Sequence, residues 1–353
     1  FIAKLMFKEK NMSTLKNIAG EAGVSIMTVS NVINGNHSKV SAKTIQKVNE
    51  IIRKYNYSPN LNARSLLKKS SRLIAVFFNT YSDSQNYFED PYLSRLFGEL
   101  ESSLRMAGYF TIIRSIKKNE NPAFILQSWN VDGAIFLNQQ TKETVSEIKS
   151  SSKCPLVFID TYPAKGTDSL SICTNDFKGG YIATKYLIEE GHKNIAFAGS
   201  YHEENRVVCE RYNGYEKALL EAGLELKPYQ LINTFTRYED GLIIGKNFAN
   251  ELYNVSAIFA TADLLALGII EGARLNGITV PNDLSIVGFD DLKLCSQIHP
   301  NLTTVSQNIK EKAATAVELL MKAISSPEET DNLTITIDVE LRIRQSVQKY
   351  INR

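Results

Sequence analysis

The chain is 353 residues long, 43% hydrophobic and 22% charged, which supplies enough apolar residues for a sizeable core and excludes a disordered or low-complexity chain. Its formal net charge of +2 conceals an asymmetry: up to Ser70 there are 12 Lys and Arg against 3 Asp and Glu, a net of +9, whereas the remainder carries 28 against 35, a net of −7. A small basic module on an acidic body fits a nucleic-acid headpiece joined to a soluble regulatory domain.

In chain order, Phe1 to Phe7 is too short and too interrupted for a signal peptide or membrane helix, and Met12 is a candidate native start that would make residues 1–11 an extension. Thr14 is placed to cap a first helix, on which Leu15, Ile18, Ala19 and Ala22 form one apolar face at three- and four-residue spacing. Gly23 stands where that helix must stop and the chain reverse. Ser25 can cap a second helix with Val29, Val32 and Ile33 inward. Spacing alone also admits a generic helical hairpin in some core, but the tight turn and the basic setting favour a helix-turn-helix. Ser41 opens a third helix with Ile45, Val48, Ile52 and Tyr55 on one face and Lys43, Lys47, Arg53 and Lys54 largely on the others. Pro59 ends it, since the residue before a proline is pushed out of the helical region. Residues 61–66 are too short and too poor in core residues to hold a helix unaided.

The body reads as alternating strand and helix. Short apolar runs at 73–78, 109–113, 131–137 and 156–159 form one set, and runs at 195–198, 257–260 and 284–289 a second, with helices closing at Gly191, Gly223 and Gly277. Strands apolar on both faces and alternating with helices predict an α/β core of two doubly wound parallel-sheet subdomains, with ligand between them at the carboxyl ends of the strands. Asp160, Asp263 and Asp290 each follow such a strand, and a carboxylate that accepts two hydroxyl hydrogen bonds suits a sugar. Any of them could instead cap a helix or tie a loop, and Asp263, which opens a helix, fits a cap as well as a ligand contact. The four cysteines and four histidines are scattered, so neither a metal site nor a redox pair is expected, and the cysteines read as buried thiols of a cytoplasmic protein. There is no nucleophile elbow, phosphate-cradling glycine loop or paired acid and base at workable spacing, so neither an enzyme nor a cofactor is expected.

Residues 14–35, TLKNIAGEAGVSIMTVSNVING, followed by VSAKT at 40–44 and YSPNLNARSL at 57–66, resemble the headpiece of the LacI/GalR family of bacterial transcriptional regulators. The resemblance continues through Gly179-Gly180-Tyr181, Gly191-His192, Arg211 with Gly214-Tyr215, residues 263–268, residues 285–291, and Leu302 to Val305 with Gln307. It implies a helix-turn-helix headpiece at 12–58, a hinge at 59–71 and an effector-binding and dimerisation core at 72–353. That core resembles the periplasmic sugar-binding proteins, the chain crossing between subdomains near residues 170, 300 and 333. One subdomain would then take about 72–170 and 302–333, the other about 171–301 and 334–353.

By the same resemblance, Ile26, Met27 and Asn31 approach base edges in the major groove, where Ile26 and Met27 suit thymine methyls and Asn31 suits adenine. Thr28, Ser30 and Asn34 fall beside phosphates, and Thr14, Ser25 and Asn60 complete the expected DNA contacts. In the hinge, Ala63 would pack against its twin, Arg64 would lie beside the phosphates, and Leu66 would enter the minor groove of a bent operator. Tyr92, Asp160, Arg211, Asp263, Asp290 and Gln307 are the expected effector contacts. The stacking aromatic of relatives falls on Thr236, with Phe235 one place before it, and the loop at 79–91 is longer and more aromatic than is usual in the family. The implied protein is a repressor that binds palindromic operator DNA and is switched by a small molecule, a sugar or sugar derivative. No leucine heptad follows the last expected strand, 340–347, so a homodimer is expected over a tetramer. The resemblance leaves open a phosphocarrier-type corepressor protein and gives no membrane role.

Overall fold

The computed structural model describes residues 14–57, 70–80, 86–117, 120, 122–138, 142–162, 169–201, 206–251, 254–329 and 333–351. They form two compact units divided between Ser71 and Arg72.

The first unit is a three-helix headpiece: α1 Leu15–Ala22, α2 Ile26–Ile33 and α3 Ala42–Lys54. Each helix starts where a hydroxyl can accept an otherwise unpaired N–H: Thr14 from Asn17, Ser25 from Thr28 and Ser41 from Thr44. Gly23, at φ 68°, reverses the chain after α1, and the Val24 N–H returns to the Ala19 carbonyl at 3.0 Å, a glycine-dependent helix stop. Ile18, Ala19, Ala22, Val29, Val32, Val48 and Ile51 fill the centre. The inward face of α3 differs from the expected stripe. Ile51 is buried, whereas Ile45 and Ile52 are only partly covered and Tyr55 is 43% exposed. Tyr55 instead donates its hydroxyl to Glu21, which also pairs with Lys54 at 2.6 Å. The contact surface of so small a core is narrow, so it selects the two positions nearest α1 and α2.

The second unit holds two six-stranded sheets. Its elements in order are β1 Leu73–Thr80, α4 Pro91–Met106, β2 Phe110–Lys117, α5 Pro122–Trp129, β3 Gly133–Leu137, α6 Lys142–Ser151, β4 Leu156–Ile159 and β5 Leu170–Thr174. They continue as α7 Asp176–Glu189, β6 Ile195–Ala198, α8 Arg206–Glu221, β7 Leu231–Ile232, α9 Tyr238–Glu251, β8 Ala257–Ala260, α10 Asp263–Leu275 and β9 Ser285–Asp290. The last are β10 Thr303–Ser306, α11 Ile309–Ser325, β11 Thr334–Ile337 and β12 Glu340–Arg342. The first sheet runs β11-β5-β4-β3-β1-β2, all parallel; the second runs β12-β10-β9-β8-β6-β7, parallel except for the antiparallel β12. Strands β3, β4, β8 and β9 are buried along their whole length, which requires helices on both faces.

The two-subdomain α/β architecture is as expected, but the crossovers come a strand later than expected. β5 and β11 pair in the first sheet and β10 in the second, so the chain changes subdomain after Thr174, Ser306 and Ile337. Residues 171–174 and 334–337 therefore belong with the first subdomain and 303–306 with the second. Those strands are short, and two carry Ser and Thr on buried faces, which hides them from an apolar pattern. The final expected strand, 340–347, is shorter too: β12 stops at Arg342.

Two helix pairs of the second sheet cross at backbone distance. Gly241 and Gly245 on α9 face Gly268 and Gly272 on α10. A Cβ on Gly268 would lie 2.1 Å from the Tyr238 carbonyl oxygen, and one on Gly245 2.3 Å from that of Ile269. Likewise a Cβ on Gly180 of α7 would lie 1.9 Å from the Arg211 carbonyl oxygen of α8. Helices are thereby drawn close enough that any larger residue must force them apart.

Candidate functional site

In the headpiece, α2 presents Ile26 and Met27 to solvent, 49% and 68% exposed, although burial would be the ordinary fate of such side chains. Asn31, four residues after Met27 and so on the same helical face, is half-buried. Thr28 and Ser30 lie along the same helix, but Asn34 is engaged locally, its Nδ2 donating to the Ser30 carbonyl at 2.7 Å. Thr14 and Ser25 serve as caps. Asn60, Ala63, Arg64 and Leu66 lie outside the described residues.

In the core, five of the seven expected effector residues come together where the crossovers meet. Asp160, just past β4 at φ 58°, and Asp290, at the end of β9 at φ 124°, both sit in backbone conformations that L side chains rarely adopt; such strain concentrates at binding and catalytic positions. Tyr92, in the first turn of α4, donates its hydroxyl to Asp160 Oδ2 at 2.8 Å. Lys312 of α11 donates to Asp160 Oδ1 at 2.9 Å, to Gln307 Oε1 at 2.6 Å and to the Tyr92 hydroxyl at 3.1 Å. Gln307, on the crossover after β10, then passes the chain of bonds to the other subdomain, its Nε2 donating to Asp290 Oδ1 at 2.5 Å. Thr174, at the crossover after β5, also donates to Gln307 Oε1 at 3.0 Å.

Arg211 of α8 forms the second half. Its Nε donates to Asp176 Oδ1 at 2.8 Å, its Nη1 to the Thr261 carbonyl at 2.6 Å, and its guanidinium lies 3.5 Å from the Phe289 ring centre. Tyr162 closes on Asp176 Oδ2 at 2.6 Å. Burial would lower the Arg211 pKa, but Asp176 first and then Asp290 and Asp160 outweigh it and hold the guanidinium above its usual range. Burial, opposed mainly by Arg211, raises the Asp176 carboxyl. Asp290 is pushed well above the usual carboxylate range by burial and by the charge of Asp263, against Arg211.

Two expected contacts stand apart. Asp263 is fully buried and caps nothing, the α10 cap being Ala262. Its oxygens accept from the Leu292 N–H at 2.8 Å, the Cys295 thiol at 2.9 Å and the Thr304 hydroxyl at 2.5 Å, so it ties the segment after β9 to β10. Phe235 is 64% exposed, with Arg237 5.2 Å from its ring, and makes no contact with the polar network. Lys312, Asp176, Thr174, Tyr162 and Thr261 are network members that pattern reading missed. Lys312 left a signal, since it falls in register with Ile309, Ala313 and Ala316 on the buried face of α11. Asp176 left none, because β5 before it was not recognised as a strand.

Past β9, a recess of about 460 Å³ is lined by Arg95, Asp291, Leu292, Lys293, Ser296 and Arg344; Asp291 pairs there with Arg344 at 2.6 Å. Among the described residues no group of three or more His, Cys, Asp or Glu could hold a metal ion, and no helix is long and apolar enough to cross a membrane. The cysteines are free thiols; Cys173 and Cys295 are buried as expected, Cys154 and Cys209 only partly.

Comparison with known proteins places both units. Residues 14–60 match the bacterial regulatory proteins of the lacI family and residues 184–347 a periplasmic binding protein-like domain. The chain is 33% identical over 342 residues to the HTH-type transcriptional repressor PurR of Histophilus somni, covering 96% of this chain and 99% of the relative. It is 32% identical over 341 residues to catabolite control protein A of Priestia megaterium, covering 95% and 99%. Among solved structures, a lac repressor dimer bound to operator and an anti-inducer shares the fold with a TM-score of 0.83 at 24% identity, covering 95% of this chain and 99% of that one. A CelR–cellobiose complex reaches 0.71 at 25% identity with the same coverage. A LacI-family regulator from Enterococcus faecium with bound ribose reaches 0.68 at 26%, covering 78% and 100%. A capped three-helix headpiece, a two-sheet core in the same chain, and relatives matched along almost their full length lead to one assignment: the chain belongs to the LacI family and is a DNA-binding transcriptional repressor, not an enzyme.

Proposed function

We propose that the protein binds a palindromic operator in the cytoplasm as a homodimer and is switched by a sugar or sugar derivative held between the two core subdomains. The observation that carries this reading is the path Asp160–Lys312–Gln307–Asp290, which links the two sheets through a residue on a crossover. A ligand whose hydroxyls replace those bonds acts where the subdomains pivot, and it shifts the population of core arrangements by its differential affinity for them. Two structures at 25% and 26% identity hold cellobiose and ribose, and carboxylates converging beside an arginine suit such hydroxyl-rich ligands. Exposed apolar side chains on both subdomains, Met106 and Phe110 on one and Ile243 and Leu275 on the other, offer a second copy surface to cover.

On DNA, Ile26, Met27 and Asn31 are the proposed base readers, with Thr28, Ser30 and the α2 N-terminus beside phosphates. Leu66 is the proposed minor-groove wedge, flanked by Ala63 and Arg64. The test is a mobility shift on palindromic and scrambled duplexes at fixed salt, with and without a sugar panel. Preference for one palindrome that a sugar strengthens or weakens is the expected result, its sign distinguishing corepressor from inducer. Leu66→Ala should reduce that preference while sparing binding to scrambled DNA. Equal affinity for every duplex under all conditions would overturn the reading.

A further inference from the structure

The recess past β9 gathers positive charge that the cleft network does not use. Its lining holds three cations, Arg95, Lys293 and Arg344, against one carboxylate, Asp291. Arg344 and Asp291 act as the frame. Arg344 gives Nη2 to Asp291 Oδ1 at 2.6 Å and Nη1 to the Leu302 carbonyl at 2.8 Å, and Arg342 Nε lies 3.9 Å from Asp291 Oδ2. The segment that carries Lys293 is pinned by Asp263, which accepts from the Leu292 N–H at 2.8 Å and the Cys295 thiol at 2.9 Å. Arg95 and Lys293 are the opposite case, and both are exposed. Among the described residues Arg95 has one partner, the Asp291 carbonyl, to which Nη1 donates at 3.2 Å, so most of its N–H groups have no acceptor. The Lys293 ammonium makes no ion pair and no hydrogen bond among them.

We propose that this recess is a second effector site, specific for a phosphoryl dianion, either esterified to a small metabolite or free as inorganic phosphate. A guanidinium fork and an ammonium, in a recess with two positive charges in surplus, match a dianion better than the single charge of a carboxylate. A volume of about 460 Å³ is that of a small-molecule site and leaves room for the rest of an ester beside its phosphoryl group. Little ordering is needed, because Arg344, Asp291 and Asp263 hold the frame before any ligand arrives. Arg95 lies on α4 of the first subdomain, one turn after Tyr92, whereas Lys293, Asp291 and Arg344 belong to the second, Asp291 directly after Asp290. An anion held by both Arg95 and Lys293 therefore joins the same two elements as the cleft network without using any residue of it. It favours the arrangement that keeps Arg95 beside Asp291. The anion site stands on the recess alone; its effect on the core rests on the two-subdomain switch proposed above.

The experiment is titration calorimetry of the full-length protein with sn-glycerol 3-phosphate, inorganic phosphate, D-glycerate and glycerol, joined to hydrogen–deuterium exchange with and without the tighter phosphate. At least one phosphate should bind, the tighter of the two naming the source, and glycerol and D-glycerate should not. Arg95→Gln and Lys293→Gln, both at exposed positions that the fold does not depend on, should each weaken binding about fivefold, the upper range for an exposed ion pair. Arg95→Lys, which keeps the charge, should retain binding within about twofold. Exchange should slow at residues 291–296 and also at the crossovers after Thr174, Ser306 and Ile337. Unchanged affinity in both Gln variants places the anion elsewhere and overturns the site. Binding of D-glycerate as tight as that of either phosphate, or no heat with millimolar phosphate, overturns it as well. Slowing confined to residues 291–296 overturns the effector role. None of these outcomes bears on whether the cleft takes a sugar, which the sugar panel above tests separately.

Discussion

The headpiece and the core site solve opposite problems with opposite resources. The proposed base readers of the headpiece come from one eight-residue helix, α2, and two of them, Ile26 and Met27, stand in solvent. The core site draws Tyr92, Asp160, Asp176, Arg211, Asp290, Gln307 and Lys312 from positions up to 220 residues apart and buries nearly all of them against one another. A reader of DNA must leave its groups unsatisfied until the duplex arrives. The proposed switch between two lobes must keep its groups satisfied in whichever arrangement the lobes adopt, because an unpaired buried charge costs several kcal/mol. Local sequence suffices for the first; only long-range packing provides the second.

The sharpest test of that contrast lies in the scaffold behind the site. Gly268→Ala places a methyl 2.1 Å from the Tyr238 carbonyl oxygen, so α9 and α10 must part. Urea unfolding should show a loss beyond about 4 kcal/mol, the range of severe packing defects, or no soluble core at all; a loss under about 1 kcal/mol would show that the pair can slide apart freely. Lys312→Met comes next. It strips Asp160 of its buried partner and should cost about 3–5 kcal/mol at neutral pH. Adding Asp160→Asn to Lys312→Met removes the carboxylate left without its partner and should recover part of that loss, which urea unfolding of the single and double variants resolves. An identical deficit in both would mean that packing, and not charge, is what Lys312 supplies.

Headpiece effects should be smaller and local. Asn31→Ala should cost about 1–3 kcal/mol of operator affinity and relax preference at one base pair, read from competition binding against single-base operator variants; a uniform loss across all of them would make Asn31 a phosphate contact. Smallest is Gly20→Ala on α1, where an added Cβ meets nothing within 4 Å. Removing a helix-interior glycine should raise headpiece stability by about 0.5–1 kcal/mol, detectable as a higher melting temperature of the full chain's first transition. The same chemical change is thus expected to help in one region and to break the other.

Much of the fold was legible because it rests on short-range rules. The caps at Thr14, Ser25 and Ser41, the reversal at Gly23 and the helix ends at Gly191, Gly223 and Gly277, all at positive φ, follow from hydrogen-bond needs within one turn. Strands β4, β6 and β8 stood out with the bounds expected because they are buried throughout. Strands β5, β7, β10 and β11 did not, since they are short, polar or half-exposed, and the crossovers were misplaced with them. Asp160, Asp290, Tyr92, Arg211 and Gln307 were found through strand ends and family motifs. Lys312 and Asp176, which neutralise two of them, were not.

What the sequence determined by itself is the inventory: a basic three-helix reader, an acidic two-sheet core, and the polar residues at the strand ends between the sheets. Periodicity, capping and charge are properties of neighbours along the chain. Which carboxylate is paired with a cation and which accepts from an amide was decided only in three dimensions, where Lys312 meets Asp160, Arg211 meets Asp176, and Asp290 meets Gln307. Pairing of that kind depends on distances of about 3 Å between residues with no sequential relation, and burial magnifies its energy far beyond anything the same residues would feel in an extended chain.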